Sequence, residues 1–257
     1  MIKAAFFDVD GTVLSHKTKS VPESTRNAIA QLQAAGIPCV AATGRQIMEM
    51  KKLPVADIPF DGYITLNGQL ILDKEQNVLH GIPVTGEVKD FFLKLFEEHT
   101  LPILMVERER MYLNFVDERV IRVQKVISSE IPALGNYSGG EIYQICIYLG
   151  EGDEALLEPV ADKCVMSRWN LGGLDAIAKG GGKVSGILRY LEDKNILPEE
   201  IIAFGDGDND AQMLSFAGIG VAMGNGWDSA KAAADYITED IDADGLYLAL
   251  KHFGLVE

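Results

Sequence analysis

Two aspartates two positions apart follow the first apolar segment of the chain. Residues 2–7 are largely apolar and lead directly into Asp8–Thr12, which reads Asp-Val-Asp-Gly-Thr. Aspartate is disfavoured inside strands, and residues two apart in an extended chain point to the same side, so Asp8 and Asp10 can face one small volume. Carboxylates that close repel each other, which favours a bound proton or a cation between them. The segment indicates a carboxylate site or, more simply, an aspartate-rich turn.

Three later segments carry polar groups that would complement a carboxylate site. Residues 39–42 are apolar and end at Thr-Gly-Arg (43–45), residues 179–183 read Lys-Gly-Gly-Gly-Lys and open a helical pattern, and an apolar stretch at 201–204 runs into Gly-Asp-Gly-Asp-Asn-Asp. Ligands of open α/β sheets bind outside the carboxyl ends of the strands, so these segments could meet at one edge. Carboxylates, a Thr-Gly turn and a lysine together indicate a place for one divalent cation and one phosphate.

The elements that must position these groups alternate between strand and helix at both ends of the chain. Residues 1–82 combine buried strand patterns, an amphipathic helix and a hairpin signal at Asn67-Gly68, and residues 183–257 return to the same alternation. Between them, residues 83–182 mix helices with strands suited to antiparallel pairing. We therefore predict an α/β fold, with a Rossmann-like doubly wound parallel core formed by 1–82 and 183–257 and an inserted α+β domain at 83–182.

In order and spacing, four segments resemble the four motifs of the haloacid dehalogenase-like phosphatases: residues 8–12, 43–45, Lys183 and 205–210. The Cof-type branch, whose cap domain is inserted between the second and third motifs, is the most similar. Residues 66–68 (Leu-Asn-Gly) and 221–225 (Val-Ala-Met-Gly-Asn) look like usual segments of that branch. The resemblance covers the core at both ends of the chain, and it implies that 83–182 is a cap domain that governs substrate specificity.

Hydrolysis of a phosphate ester needs a nucleophile, neutralisation of the phosphoryl oxygens and a proton for the leaving alcohol. Asp8 can be the nucleophile, because carboxylates form aspartyl-phosphate intermediates. Asp10 can protonate the leaving oxygen and then accept a proton from the attacking water. We expect Mg²⁺ as the cofactor, with Asp8, Asp10 through its backbone carbonyl, and Asp206 as ligands.

Other phosphoryl oxygens need donors, and Thr43, the N–H of Gly44 and Lys183 can supply them. The resemblance implies the same assignments, together with a phosphate contact from Asn209 and a supporting role for Asp210. A plain hydrogen bond that caps the following helix is an alternative for the Thr43 hydroxyl and for Asp210.

Two charged neighbours leave further alternatives. Lys179 could replace Lys183 as the phosphate ligand, although Lys183 stands at the start of a helix. Arg45 is interpreted as a surface charge or a charge at the rim of the substrate site.

These residues predict a phosphoric monoester hydrolase. We expect a Mg²⁺-dependent phosphatase that hydrolyses small phosphorylated metabolites, with sugar phosphates as the favoured substrate class. A sugar phosphomutase on the same scaffold is one alternative. A phosphoacceptor signalling module is another, since such modules also use carboxylates, threonine, lysine and Mg²⁺. Those modules are much shorter, and their acceptor lies midway along the chain rather than on the first strand.

The composition excludes several other classes of protein. The 257 residues are 47% hydrophobic and 24% charged, which suits a globular core, and the formal net charge of −15 argues against nucleic acid and anionic membranes as partners. No apolar run approaches the roughly 20 residues of a membrane span. The three cysteines lie far apart, so we expect reduced thiols and a cytoplasmic protein. Oligomeric state is left open, and a monomer is compatible with the sequence.

Overall fold

The computed structural model describes residues 1–127, 129–192 and 194–257. The chain forms two compact units. The first combines Met1–His80 with Lys183–Glu257, and the second is Gly81–Gly182. The fold class predicted from the sequence, α/β with a doubly wound core and an inserted α+β unit, is confirmed.

An eight-stranded sheet runs through the first unit in the order β13-β12-β11-β1-β2-β3-β4-β5. Its strands, numbered in chain order, are Ala4–Phe7 (β1), Cys39–Ala42 (β2), Gly62–Thr65 (β3), Leu70–Asp73 (β4), Val78–Gly81 (β5), Ile201–Gly205 (β11), Ile219–Ala222 (β12) and Tyr236–Ile237 (β13). From β13 to β3 all neighbours are parallel, and β4 returns antiparallel to β3 as the predicted hairpin. The central strands are short and wholly buried, as expected when helices cover both faces of a parallel sheet.

Helices supply the covering layers of the first unit. They are Glu23–Ala34 (α1), Ile47–Met50 (α2), Lys183–Leu191 (α5), Ala211–Phe216 (α6), Asp228–Ala233 (α7) and Gly245–His252 (α8). Phe6, Val40 and Ala203 of three central strands pack with Ile187 of α5 and Leu214 of α6 in one buried apolar cluster. This packing fixes the strands whose carboxyl ends carry the polar motifs.

A separate five-stranded sheet forms the second unit, in the order β7-β6-β8-β10-β9. Its strands are Ile103–Glu107 (β6), Met111–Leu113 (β7), Ile142–Tyr148 (β8), Cys164–Asn170 (β9) and Gly173–Ala178 (β10), and its helices are Gly86–Glu97 (α3) and Glu118–Val126 (α4). All its strand pairs are antiparallel. Phe92 and Phe96 of α3 pack against Met105, Ile145 and Ile147 of the sheet, so the unit has its own hydrophobic core.

Within the described residues, no helix combines the length and the apolar character that crossing a lipid bilayer requires.

Candidate active site

Three adjacent parallel strands end in polar residues at the same edge of the first sheet. Asp8 follows β1, Thr43 follows β2 and Asp206 follows β11, and β1 lies between the other two. The Asp8 N–H donates to the carbonyl of Phe204 on β11 at 2.9 Å, so the backbone ladder reaches the first catalytic candidate. The carboxyl edge of the sheet thus gathers motifs that are far apart in the sequence.

A lysine is buried between two carboxylates at this edge. The Lys183 Nζ donates to Asp8 Oδ1 at 2.5 Å and to Asp210 Oδ1 at 2.6 Å. All three residues are buried, with Lys183 only 3% exposed, and Lys183 is the first residue of α5. Lys179, the alternative phosphate ligand, donates to the carbonyl of Asp162 in the second unit.

Asp206 completes a cluster of carboxylates under the loop that follows β1. The Thr12 hydroxyl donates to Asp206 Oδ1 at 3.0 Å. Gly11 has a φ of 84°, and a Cβ at that position would lie 2.2 Å from Asp206 Oδ2. Only glycine combines this left-handed backbone with so close an approach, which explains why it follows Asp10.

The donor set of the carboxylate cluster, defined as Asp8, Asp206 and Asp210, fits a divalent cation. One carboxylate oxygen from each residue lies within 4.8 Å of the other two, and all three side chains are buried. Hard cations such as Mg²⁺ prefer oxygen ligands of this kind. Lys183 offsets only one of the three negative charges, so a bound cation would compensate the rest.

The pKa values in the cluster reflect the burial of like charges. Burial, followed by the negative charge of Asp210, raises the pKa of Asp206 to about 7. Burial also raises the pKa of Asp8 well above its usual range, and the positive charge of Lys183 only partly opposes this. Burial alone would lower the pKa of Lys183, but the carboxylates of Asp210 and Asp8 raise it above its ordinary value, so the ammonium group stays charged.

Asp10, predicted beside Asp8, lies close enough for its negative charge to contribute to the raised pKa of Asp8, and its carboxylate forms an ion pair. Arg45 binds it through two parallel hydrogen bonds, Nε to Oδ2 at 2.6 Å and Nη2 to Oδ1 at 2.7 Å. Both side chains are partly exposed. Arg45 therefore orients the candidate acid–base residue, a role beyond that of the surface or rim charge predicted from the sequence. The metal contact expected from Asp10 involves its backbone carbonyl, which this ion pair leaves unchanged.

The predicted phosphate ligands lie on the loops after β2 and β11. Thr43 is buried, and its hydroxyl accepts a hydrogen bond from the N–H of Arg45 at 3.1 Å. Helix α2 begins only after Gln46, so Thr43 is not the residue that caps this helix. The exposed Asn209 donates from Nδ2 to the Oδ1 of Asn67 at 3.0 Å. Asn67 is absent from the residues predicted for the site; its sequence signals were a hairpin turn and the similarity of residues 66–68 to a usual segment of the Cof-type branch.

Asp210 supports the loop that carries Asp206. Its Oδ2 accepts hydrogen bonds from the N–H groups of Asp206 and Gly207, each at 2.9 Å, while Oδ1 accepts the bond from Lys183. Its side chain makes no capping hydrogen bond to helix α6. Asp210 thus ties the position of Lys183 to that of Asp206.

The parallel sheet and the buried carboxylates at its edge define an α/β enzyme, and comparison with known proteins identifies its family. Residues 5–250 match the haloacid dehalogenase-like hydrolases, and the chain belongs to this family. It is 31% identical to YkrA of Bacillus subtilis, to which a phosphatase activity is attributed, over 99% of both chains. It is 29% identical to the HMP-PP phosphatase of Yersinia pseudotuberculosis, over 88% of this chain and 85% of that one.

Solved structures agree with this assignment. The phosphatase BT1666 from Bacteroides thetaiotaomicron superimposes with a TM-score of 0.91 at 31% identity, covering 100% of this chain and 96% of that one. The subclass IIB sugar phosphatase BT4131 superimposes with a TM-score of 0.85 at 32% identity, covering 99% and 100%. The resemblance to the Cof-type branch is confirmed, and the enzyme class is that of the phosphatases.

Proposed function

We propose that this protein is a Mg²⁺-dependent phosphatase that hydrolyses small phosphorylated metabolites, sugar phosphates foremost, through an aspartyl-phosphate on Asp8. The observation that carries the proposal is the position of Asp8. It follows the central strand β1, lies 2.5 Å from the buried Lys183 and belongs to the carboxylate cluster. A carboxylate that can act as the nucleophile, the ammonium group of Lys183 and oxygen atoms that can bind a metal thus lie within one small volume, which supports the proposal.

In the first step, Asp8 attacks phosphorus, a bond forms between its carboxylate oxygen and phosphorus, and the bond to the leaving oxygen breaks. Asp10 in its acid form gives its proton to that oxygen, which departs as an alcohol. Lys183, the Thr43 hydroxyl, the Gly44 N–H and Asn209 hold the phosphoryl oxygens while their charge redistributes. Arg45 pairs with both oxygens of the Asp10 carboxylate, and in the acid form it can keep one of these hydrogen bonds, which orients the oxygen that carries the proton.

In the second step, water attacks the phosphorus of the aspartyl-phosphate. Asp10, now a carboxylate, accepts a proton from that water, and the bond between Asp8 and phosphorus breaks to release inorganic phosphate. Asp8, Asp206 and the backbone carbonyl of Asp10 would hold Mg²⁺, with Asp210 beside them. When bound, the cation supplies positive charge to the phosphoryl oxygens.

The second unit is proposed to select the ester. It has its own sheet and its own hydrophobic core, and the candidate phosphate ligands all belong to the first unit. Specificity for the alcohol part of a substrate must come from contacts beyond the phosphate. Replacing residues 83–182 with a short linker is expected to preserve binding of phosphate and Mg²⁺ but to flatten the ranking of substrates; a folded, active variant that keeps the parent ranking would assign specificity to the core.

A panel of phosphorylated metabolites tests the reaction itself. With Mg²⁺, at least one sugar phosphate should release free phosphate, and a chelator should abolish the release. Rapid quenching of a reaction with an ester that is labelled in its phosphoryl group should trap the label on Asp8. Isomerised sugar phosphate without free phosphate would instead identify a mutase, and full activity in chelator would overturn the metal requirement.

A further inference from the structure

The turn between β3 and β4 has an unusual backbone for a buried segment. Three successive residues adopt the left-handed region, with φ values of 53° at Leu66, 53° at Asn67 and 87° at Gly68. All three are buried. Leucine rarely adopts this conformation, and such residues persist where the surroundings over-determine them, often at functional sites.

Backbone hydrogen bonds tie this turn to the loop after β2. The N–H of Leu66 donates to the carbonyl of Arg45 at 3.2 Å, and the N–H of Asn67 donates to the carbonyl of Thr43 at 3.0 Å. The unusual backbone therefore serves to direct two N–H groups at the loop that carries the predicted phosphate ligands.

The side chain of Asn67 contacts both of the predicted phosphate-binding loops. It is 4% exposed, and a Cβ at Gly44 would lie 3.2 Å from both its Oδ1 and its Nδ2. On the other side, its Oδ1 accepts the hydrogen bond from Asn209 at 3.0 Å. Asn67 thus lies between Gly44, on the loop after β2, and Asn209, on the loop after β11, and contacts both residues.

We propose that Asn67 is a positioning residue of the phosphate site, which sets the spacing between the Gly44 N–H and the Asn209 side chain so that both reach one phosphate. The inference rests on the proposed function. It explains why an asparagine stands here. Asparagine tolerates the left-handed backbone, its planar amide fits against Gly44, and it is neutral where a carboxylate would repel a phosphate.

The test compares Asn67→Gly with a matched control, Asn195→Gly. Glycine keeps the left-handed backbone and removes only the side chain. Asn195 has a φ of 52°, is exposed and lies on the turn after α5, so both substitutions change the same residue type in the same conformation. Binding of inorganic phosphate by calorimetry, and kcat and KM with p-nitrophenyl phosphate, are measured with Mg²⁺ for both variants and the wild type.

For Asn67→Gly we expect the phosphate Kd and the KM to rise about tenfold, while kcat falls by less than about threefold, because the loss is one of phosphate binding. Asn195→Gly should match the wild type. In the double variant with Asn67→Gly and Asn209→Ala, the loss of binding free energy should be smaller than the sum of the two single losses, since the two residues share one hydrogen bond. Equal phosphate binding by Asn67→Gly and Asn195→Gly overturns the inference.

A second variant covers the case in which Asn67→Gly does not fold. Asn67→Asp keeps the shape and the acceptor for Asn209, and aspartate also tolerates the backbone. Its charge should weaken phosphate binding by at least about tenfold, and a thermal melt checks that the variant is folded. Unchanged phosphate binding by Asn67→Asp would mean that position 67 does not adjoin the bound phosphate, which overturns the inference. A wild-type protein that neither binds phosphate nor hydrolyses any ester overturns the proposed function, and the inference with it.

Discussion

Two buried aspartates of the first unit and two partly exposed acidic residues of the second unit have pKa values shifted in opposite directions. In the first unit, burial raises the pKa of Asp206 to about 7 and raises that of Asp8. In the second unit, a hydrogen bond from Arg110 lowers the pKa of Glu107. For Asp153, burial acts upward, but hydrogen bonds from the Gly150 N–H and from Arg119 bring the pKa below its usual value.

The raised pKa values belong to buried carboxylates of the candidate site, whereas the lowered ones belong to ion-paired carboxylates of the second unit. The first unit concentrates like charges away from water, which costs folding free energy and is typical of functional sites. The second unit places its ion pairs near the surface, as in Lys163–Glu87 and Arg168–Glu154, where each contributes little. Among the described residues, the group of carboxylates able to hold a metal lies in the first unit.

The largest expected effect comes from Asp8→Asn. An amide of the same size is a poor nucleophile, so kcat should fall by about a thousandfold or more. Asp90→Asn, an exposed carboxylate on α3 of the second unit, is the control and should keep wild-type turnover. Phosphate release under saturating substrate measures both. Asp8→Asn retaining more than about a tenth of the activity would remove Asp8 as the nucleophile.

Lys183→Met should have the next largest effect. Methionine keeps the length of the buried side chain but removes the charge held between Asp8 and Asp210. We expect kcat/KM to fall by about a hundredfold or more. Lys179→Met changes the neighbouring lysine and should leave kcat/KM within about twofold of the wild type, since Lys179 bonds a carbonyl elsewhere. The reverse order of effects would transfer the phosphate contact to Lys179.

Stability against pH probes the burial of Asp206. Its pKa in the folded chain, about 7, is above the roughly 3.9 of an unfolded aspartate, so the folded state binds the proton more tightly. The free energy of unfolding of the metal-free protein should therefore decrease as pH rises from about 4 to about 7, and this contribution should level off above that. Urea titrations in chelator at several pH values measure the slope of the free energy of unfolding against pH. Asp206→Asn should reduce it, and an unchanged slope would contradict the assignment.

Glu107→Gln should have the smallest effect, with the opposite pH dependence. The lowered pKa of Glu107 means that its ionised form stabilises the fold above about 4.5, the ordinary value of glutamate, and that this contribution is lost as pH falls through the folded pKa. The variant should melt slightly below the wild type at neutral pH and equally in strong acid. Thermal melts at both pH values measure this. A decrease in melting temperature as large as that expected from removing a buried charge would remove the contrast between the two units.

Much of the fold could be predicted because its signals are local. Short apolar runs such as Ala4–Phe7 and Ile201–Gly205 predict buried parallel strands, and the alternation of strands with amphipathic helices predicts the doubly wound sheet. The Asn67-Gly68 signal predicted the hairpin, but the structure places Leu66 in the left-handed region as well, which no local preference of leucine indicates.

By itself, the sequence determined which residues end the strands, because an aspartate or threonine directly after an apolar run has its position set by the covalent chain. Only the tertiary structure decided which of them meet. Lys183 contacts Asp8 across 175 positions of sequence, Arg45 binds Asp10 across 35, and Asn209 bonds Asn67 across 142. These contacts depend on the order and twist of the strands and on the packing between layers. The local spacing of residues contains no information about strand order or layer packing.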